Sequence, residues 1–295
     1  MSPPDEGSIS WSSEQWRDYF RNNGLPVLTV PAEGLMSWTS EQWRDYFRHN
    51  GLSLLAIPWN ESVTFSDQEI QAVSASIQEF QLGESSEGKH FQGLAKEYAQ
   101  RTGDVDYVHA LRLFIGEEHR HARDLGRVMD LAGIEQIGHT WPDAVFRWLR
   151  HRAGLELSIA VLVTAEIIAK VYYAALREAT RSSVLRRLCE QILADEVQHV
   201  RFQCERLAIL RARHFKLTIW LKDALQRTFF AGTCWVVWWK HRHALRAGGF
   251  SYRSFRCSAR AEMNEAIRLM NPRNYVFGPV VDARASTRAP ITVTS

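Results

Sequence analysis

Glutamate stands at four positions where the helical period of this chain calls for an apolar side chain: Glu84, Glu118, Glu166 and Glu196. Each interrupts a hydrophobic stripe of the kind that faces a core. A buried carboxylate without a partner is costly, and four facing one another repel until some take up protons. A chain folded on these stripes therefore needs positive charge at its centre. Two of the four carry histidine three residues on, as Glu118-x-x-His121 and Glu196-x-x-His199. On a helix such residues are neighbours on one face, so each pair offers one oxygen and one nitrogen to a single metal ion. Four carboxylates with two neutral imidazoles balance the charge of two divalent ions.

The stripes predict four helices. Ile70, Val73, Ile77, Glu84, Phe91 and Tyr98 share one face of a first helix running from about Phe65 to Gly103. Val108, Leu111, Ile115, Glu118, Ala122 and Leu125 form the second, ending at Gly133. Ile159, Leu162, Glu166 and Tyr173 mark the third. After a turn at Arg181 and Ser182, the fourth carries Leu185, Cys189, Ile192, Glu196 and His199. The first and last connections are short, and the middle one, residues 134–150 with Pro142, is long. Short, long, short is the loop pattern of an all-α four-helix bundle with one crossover. The expected organisation is an N-terminal extension over residues 1–62, the bundle over 63–212, a C-terminal helical extension over 213–271 and an irregular tail over 272–295. Gly83, Gly88 and Gly93 each cost the first helix about 1 kcal/mol relative to alanine. They are read as a place of close helix approach, with an access channel beside Glu84 as the other reading.

The extension contains a repeat. SWSSEQWRDYFRNNGL over residues 10–25 returns as SWTSEQWRDYFRHNGL over 37–52. Each copy reads as a short helix opened by a capping box, Ser12 with Gln15 or Thr39 with Gln42, and closed by Gly24 or Gly51. Trp16, Tyr19 and Phe20, like Trp43, Tyr46 and Phe47, make an aromatic face that must pack on something. Met36 directly precedes the second copy, so the first reads as a recent duplication or as sequence upstream of the true start. The eleven tryptophans all fall in the flanking segments or the crossover, as aromatic covers for a bundle.

Composition excludes several classes. The four cysteines form no Cys-x-x-Cys pair, which argues against a zinc ribbon or a rubredoxin-type centre. A net charge of +3 gives no general signal for nucleic acid. The longest Trp-rich apolar run, residues 228–239, is shorter than the roughly 20 residues a membrane-spanning helix needs, so no transmembrane segment is expected. The acidic, polar start MSPPDEGS lacks the form of a secretory signal, and a cytoplasmic protein is expected. Residues 229–246 join a Trp-rich stretch to a basic one. That combination suits a membrane surface or nucleic acid, but is read first as a helix packed on the bundle.

Gly83-Glu84-Ser85 resembles the first-helix ligand motif of rubrerythrins. Glu117-Glu118-His119-Arg120-His121-Ala122 is similar to the second-helix motif of bacterioferritins, and Asp195-Glu196-Val197-Gln198-His199 matches the fourth-helix pattern. Over about residues 65–210 the chain thus resembles the ferritin-like di-iron carboxylate superfamily. The resemblance implies Glu84 and Glu166 as single-carboxylate ligands, Glu118 and Glu196 as bridges, and His121 and His199 as nitrogen donors. These six would form the metal and catalytic centre. Glu117 and Asp195 would each orient the opposite histidine through its second ring nitrogen, with ordinary exposed acids as the other reading. Glu87, one turn after Glu84, is an alternative or additional ligand. Tyr173 and Tyr107, on the stripes of Glu166 and Glu118, are outer-sphere candidates that more simply just pack, and Cys189 reads as small core filling. Ala169 stands where rubrerythrins carry a further glutamate, and no cysteine-rich iron domain follows, so the rubrerythrin peroxide route is not implied.

The cofactor expected is two iron ions, with manganese or a mixed Fe/Mn pair also fitting the donors, and O2 as co-substrate. The leading expectation is an O2-activating oxidoreductase acting on a small organic substrate, with an external electron donor, as a monomer or homodimer. A ferroxidase or iron-storage protein is the alternative. The long extensions weigh against a storage cage, whose bundles tile through bare outer faces. A structural metal domain whose aromatic repeat binds a partner is the third reading.

Overall fold

The structure, a computed structural model, describes residues 35–85, 88–140 and 154–276, with backbone only for Leu35, Met36 and Val276. The first repeat copy, Glu87, most of the crossover and the tail beyond Val276 lie outside the described residues. Eight α-helices are described: α1 (Ser40–Asn50), α2 (Asp67–Glu84), α3 (Lys89–Thr102), α4 (Val105–Leu131), α5 (Leu155–Ala179), α6 (Ser183–Arg211), α7 (Lys216–Ala247) and α8 (Tyr252–Leu269). The bundle consists of α2 with α3, then α4, α5 and α6.

Local chemistry sets the boundaries. Thr39 and Gln42 close the expected capping box on α1, and Gly51 follows its end. Ser66 and Glu69 do the same for α2. Gly103, at φ 79°, turns the chain from α3 into α4, a left-handed conformation that glycine adopts without steric cost. Asp104 then caps α4 by accepting from the Tyr107 amide, and Ser182 caps α6.

The first bundle helix differs from expectation in being two helices. α2 stops at Glu84 and α3 begins at Lys89, after Gly88 at φ 157° and ψ −103°. The glycines do not mark close packing: a Cβ at Gly83 or Gly93 would meet nothing within 4 Å. Their low helix propensity instead accompanies the end of α2 at the ligand-bearing residue. Ile70, assigned to the inner stripe, is 37% exposed near the start of α2.

α5 is apolar all round because it is enclosed all round. It packs against α6 and receives α7, α8 and α2 on its other sides. It has the length and hydropathy of a membrane span, yet 94% of that window is buried in the protein, as befits a central core helix. Gly248, at the end of α7, sits against α5 so closely that a Cβ there would lie 2.2 Å from the Ala175 carbonyl oxygen.

α1 lies across α4, and its side chains reach Phe202 and Glu205 on α6. Trp43 and Phe47 are buried there, Phe47 lying edge-on to Phe202, and the Trp43 indole donates to Glu205 at 2.8 Å. The aromatic face of the second repeat copy is thus consumed by its own bundle. At the far end, Pro272–Asn274 forms a 3-10 turn, and Tyr275–Val276 pairs in parallel with Leu35–Met36. The residues just after Pro272 are therefore ordered against the start of the described chain rather than forming an irregular tail.

Candidate metal centre

The six candidate ligands converge. Glu84 ends α2, Glu118 and His121 face inward from α4, Glu166 from α5, and Glu196 and His199 from α6. All are buried, Glu196 and His199 completely. Donor atoms of Glu84, Glu118, His121 and Glu196 lie within 4.8 Å of one another, as do those of Glu118, Glu166, Glu196 and His199. The two groups share Glu118 and Glu196, the pair expected to bridge. This is the geometry of two adjoining cation sites with two common carboxylates.

Hydrogen bonding shows what the cluster lacks. His121 Nε2 lies 3.0 Å from Asp195 Oδ2, and His199 Nε2 lies 2.9 Å from Glu117 Oε2. In the neutral tautomer that donates outward from Nε2, Nδ1 of each ring would offer its lone pair to the cluster. His121 Nδ1 stands 3.6 Å from Glu196 Oε1 and 3.7 Å from Glu84 Oε2, too far for a hydrogen bond. His199 Nδ1 is 2.8 Å from Glu118 Oε1 but out of hydrogen-bond alignment. Glu118 Oε1, Glu166 Oε1 and both Glu196 oxygens are likewise buried without a hydrogen-bond partner. Groups orphaned at this depth ordinarily have an ion or water between them. Carboxylate oxygens and imidazole nitrogens are the donor set that suits iron and manganese, so the residues fit a dimetal cofactor.

The electrostatics agree. Burial, reinforced by the charges of Glu84 and Glu196, pushes Glu118 up to about 8. Burial and the charges of Glu118 and Glu196 drive Glu166 well above the usual carboxylate range. Burial alone would lower His121, but its bond to Asp195 and the nearby carboxylates of Glu84 and Glu118 outweigh this and raise it to about 10. His199 moves upward for the same reason, Glu118 being the main partner. The cluster demands positive charge, and protons serve where no metal does.

Around the cluster lies a built second layer. Burial opposes the charge on Asp195, yet His121, His199 and Arg120 hold its carboxyl well below the usual range, so it stays ionised. Arg120 Nη2 reaches Asp195 Oδ2 at 2.6 Å, and Gln191 Nε2 donates to both oxygens. Asn50, the last residue of α1, donates from its amide nitrogen to Glu117 Oε1 and to Asp195 Oδ1, each at 2.8 Å. One side chain of the repeat thus ties together the two acids that orient the two histidines.

Sequence reasoning placed Glu117 and Asp195 but missed Asn50, Arg120 and Gln191. A signal for Asn50 existed, since both repeat copies end in Asn-Gly-Leu, at Asn23 and Asn50. Tyr173, read chiefly as packing, donates its hydroxyl to Glu84 Oε1 at 2.5 Å. Burial and the Glu84 charge keep that phenol protonated. Tyr107 does pack: its ring lies 3.8 Å beneath the Arg206 guanidinium, with its hydroxyl unbonded and remote from the cluster. Cys189 is a fully buried thiol whose ionisation burial suppresses.

No family model and no curated protein matches the chain. Among solved structures, it is similar to a point mutant of an R2-like ligand-binding oxidase with an aerobically reconstituted Mn/Fe cofactor. The similarity covers 79% of this chain and 94% of that one, with a TM-score of 0.54 and 14% sequence identity. At that identity the likeness is one of fold. The helices take the ferritin-like arrangement, with a buried carboxylate and histidine cluster at its centre.

Proposed function

We propose that this chain is a dimetal oxidoreductase that holds two transition-metal ions, two iron or one manganese and one iron, and uses them to activate O2 for oxidation of a small organic substrate. The observation that carries this reading is the pair of Nδ1 atoms turned inward, each ring held from outside by an acid at its Nε2 and each facing buried carboxylate oxygens that have no hydrogen-bond partner. Six buried polar groups that turn their donor atoms to one point without hydrogen-bonding one another are arranged for an ion between them. When bound, two such ions supply Lewis acidity and the electrons for O2 reduction.

The chain's own residues define the rest. Glu118 and Glu196, common to both donor groups, would hold the two ions together, while Asp195 and Glu117 would keep the imidazoles in the tautomer that offers Nδ1. Tyr173 fixes one oxygen of Glu84 and leaves the other toward His121. Glu84 is the last residue of its helix, whereas the other five ligands lie within theirs. An open groove of about 570 Å³ is lined by Ser85 and Ala122, the chain neighbours of Glu84 and His121, and by none of the six ligands themselves. The oxidase and Mn/Fe description of the structural neighbour supports the same chemistry. The cover of α7 and α8 over α5, and of α1 over α4, favours an enzyme over a storage cage, because the outer faces are already occupied.

Metal analysis tests the reading. Protein reconstituted anaerobically with ferrous iron, with or without manganese, should retain two ions per chain, consume O2 on exposure to air and turn over candidate substrates. Retention of one ion or none, or O2 uptake unaffected by His121→Ala with His199→Ala, would reject it. Continuous iron uptake far beyond two ions would instead favour the ferroxidase reading.

A further inference from the structure

One side of α7 packs on the bundle and the other is bare. Leu217, Leu221, Leu225, Trp235 and Trp239 are each 53–68% exposed. At about 100° per residue they fall within a sector of about 80°, forming one stripe along a 32-residue helix. Phe215 and Trp220, also exposed, widen its N-terminal end. The three leucines at one end and the two tryptophans at the other lie on the same side of the helix, with only Thr228, Ala231 and Gly232 exposed on that side between them; such alignment marks a contact surface, since isolated apolar side chains would be scattered.

The charges beside it share one sign. On α7 and the turn before it, Arg213, Lys216, Arg227 and Arg246 are exposed; on α8, Arg253, Arg256, Arg260 and Arg268 are. The acids of these two helices face elsewhere: Asp223 is bound to Arg211 at 3.1 Å, and Glu262 and Glu265 are buried. The net charge of the chain is only +3, so this face is a local concentration of basic residues.

We propose that the α7–α8 face docks on an anionic lipid surface, with α7 lying in the plane of the interface. Acyl chains take the leucines, the headgroup boundary takes the tryptophans, and lipid phosphates or carboxylates take the arginines. A second copy of the chain fits less well. Antiparallel pairing centred near residue 230 would set Leu221 against Trp239, but would also bring Lys216 toward Arg242 and Arg246 with no acid to meet them. Nucleic acid would satisfy the arginines and leave the exposed leucines wet. The helix is already folded against α5, so binding carries no cost of ordering it.

Sedimentation of the full-length chain with vesicles tests this independently of metal content. Pelleting is expected with phosphatidylserine-containing vesicles, not with pure phosphatidylcholine, and should weaken as salt rises. Trp235→Ser with Trp239→Ser, and separately Arg253→Gln with Arg256→Gln and Arg260→Gln, should each reduce the affinity about tenfold or more, with helical content and melting temperature unchanged. The proposal is overturned by no pelleting, by equal pelleting with both vesicle types, or by folded variants that bind as well as wild type. It is equally overturned by a dimer that the tryptophan variant dissociates without effect on vesicles, or by duplex DNA competing the chain off them.

Discussion

Replacing Asn50 by alanine removes a side chain that hydrogen-bonds both histidine-orienting acids. Each lost bond is a neutral donor to a charged acceptor at 2.8 Å, of a kind that contributes about 1.5–3 kcal/mol. Asp195 keeps Arg120 and Gln191, so its share falls at the low end. Glu117 keeps His199, while Arg120 stands off at 3.9 Å, so it loses more. Together the substitution should destabilise the metal-free protein by about 3–4.5 kcal/mol. Freed acids no longer hold the imidazole tautomers, and metal affinity should fall about 10–100-fold. Chelator-competition titrations beside urea denaturation in EDTA measure both quantities. Asn23→Ala, in the first repeat copy, should change neither, because the second copy fills the seat on α4. A stability loss with metal affinity unchanged would refute the idea that Asn50 serves the cluster through the two acids. Equal effects from Asn23→Ala would refute the assignment of the seat.

Three further outcomes are expected. Tyr173→Phe removes the hydroxyl bonded to Glu84 and should lower the unfolding free energy by about 1–3 kcal/mol, with an unchanged melting curve counting against the bond. His241 is buried, and burial together with the Lys240 charge lowers it to about 3 from an ordinary 6.5, although Glu79 stands 3.7 Å from its Nε2. Its neutral form therefore contributes stability that is complete above pH 6.5 and is lost as pH falls toward 3, by about 1.4 kcal/mol per unit. His241→Gln should flatten that part of the wild-type pH–stability curve, and parallel curves would contradict it. Gly248→Ala drives a Cβ into the α5 backbone at Ala175 and should cost about 3 kcal/mol by thermal or urea unfolding, whereas a neutral effect would show that α7 can move away.

The centre was legible because its chemistry violates a pattern. A glutamate on a hydrophobic stripe is visible in one dimension, and Glu-x-x-His on a helix fixes its own geometry, so Glu118, His121, Glu196 and His199 needed no tertiary information beyond the bundle. The crossed bonds of Glu117 and Asp195 were also readable, since residues just before a ligand on antiparallel helices point toward the neighbouring ligand. Asn50 was not, because its role depends on where α1 docks, and docking is set by Trp43, Phe47 and Glu205 acting across the fold. Tyr173 was misjudged because a stripe position gives direction but not the reach of a phenol. The break after Glu84 escaped because the apolar period continues through it to Phe91, and period alone does not register a change of helix axis. α5 read as a one-faced helix, since total enclosure by α7 and α8 is a tertiary fact.

The most direct measurement is anomalous diffraction from crystals of metal-loaded protein. Two peaks should stand side by side, one among Glu84, Glu118, His121 and Glu196 and the other among Glu118, Glu166, Glu196 and His199. A single peak, none, or metal bound only at other residues would contradict a dimetal centre in this chain.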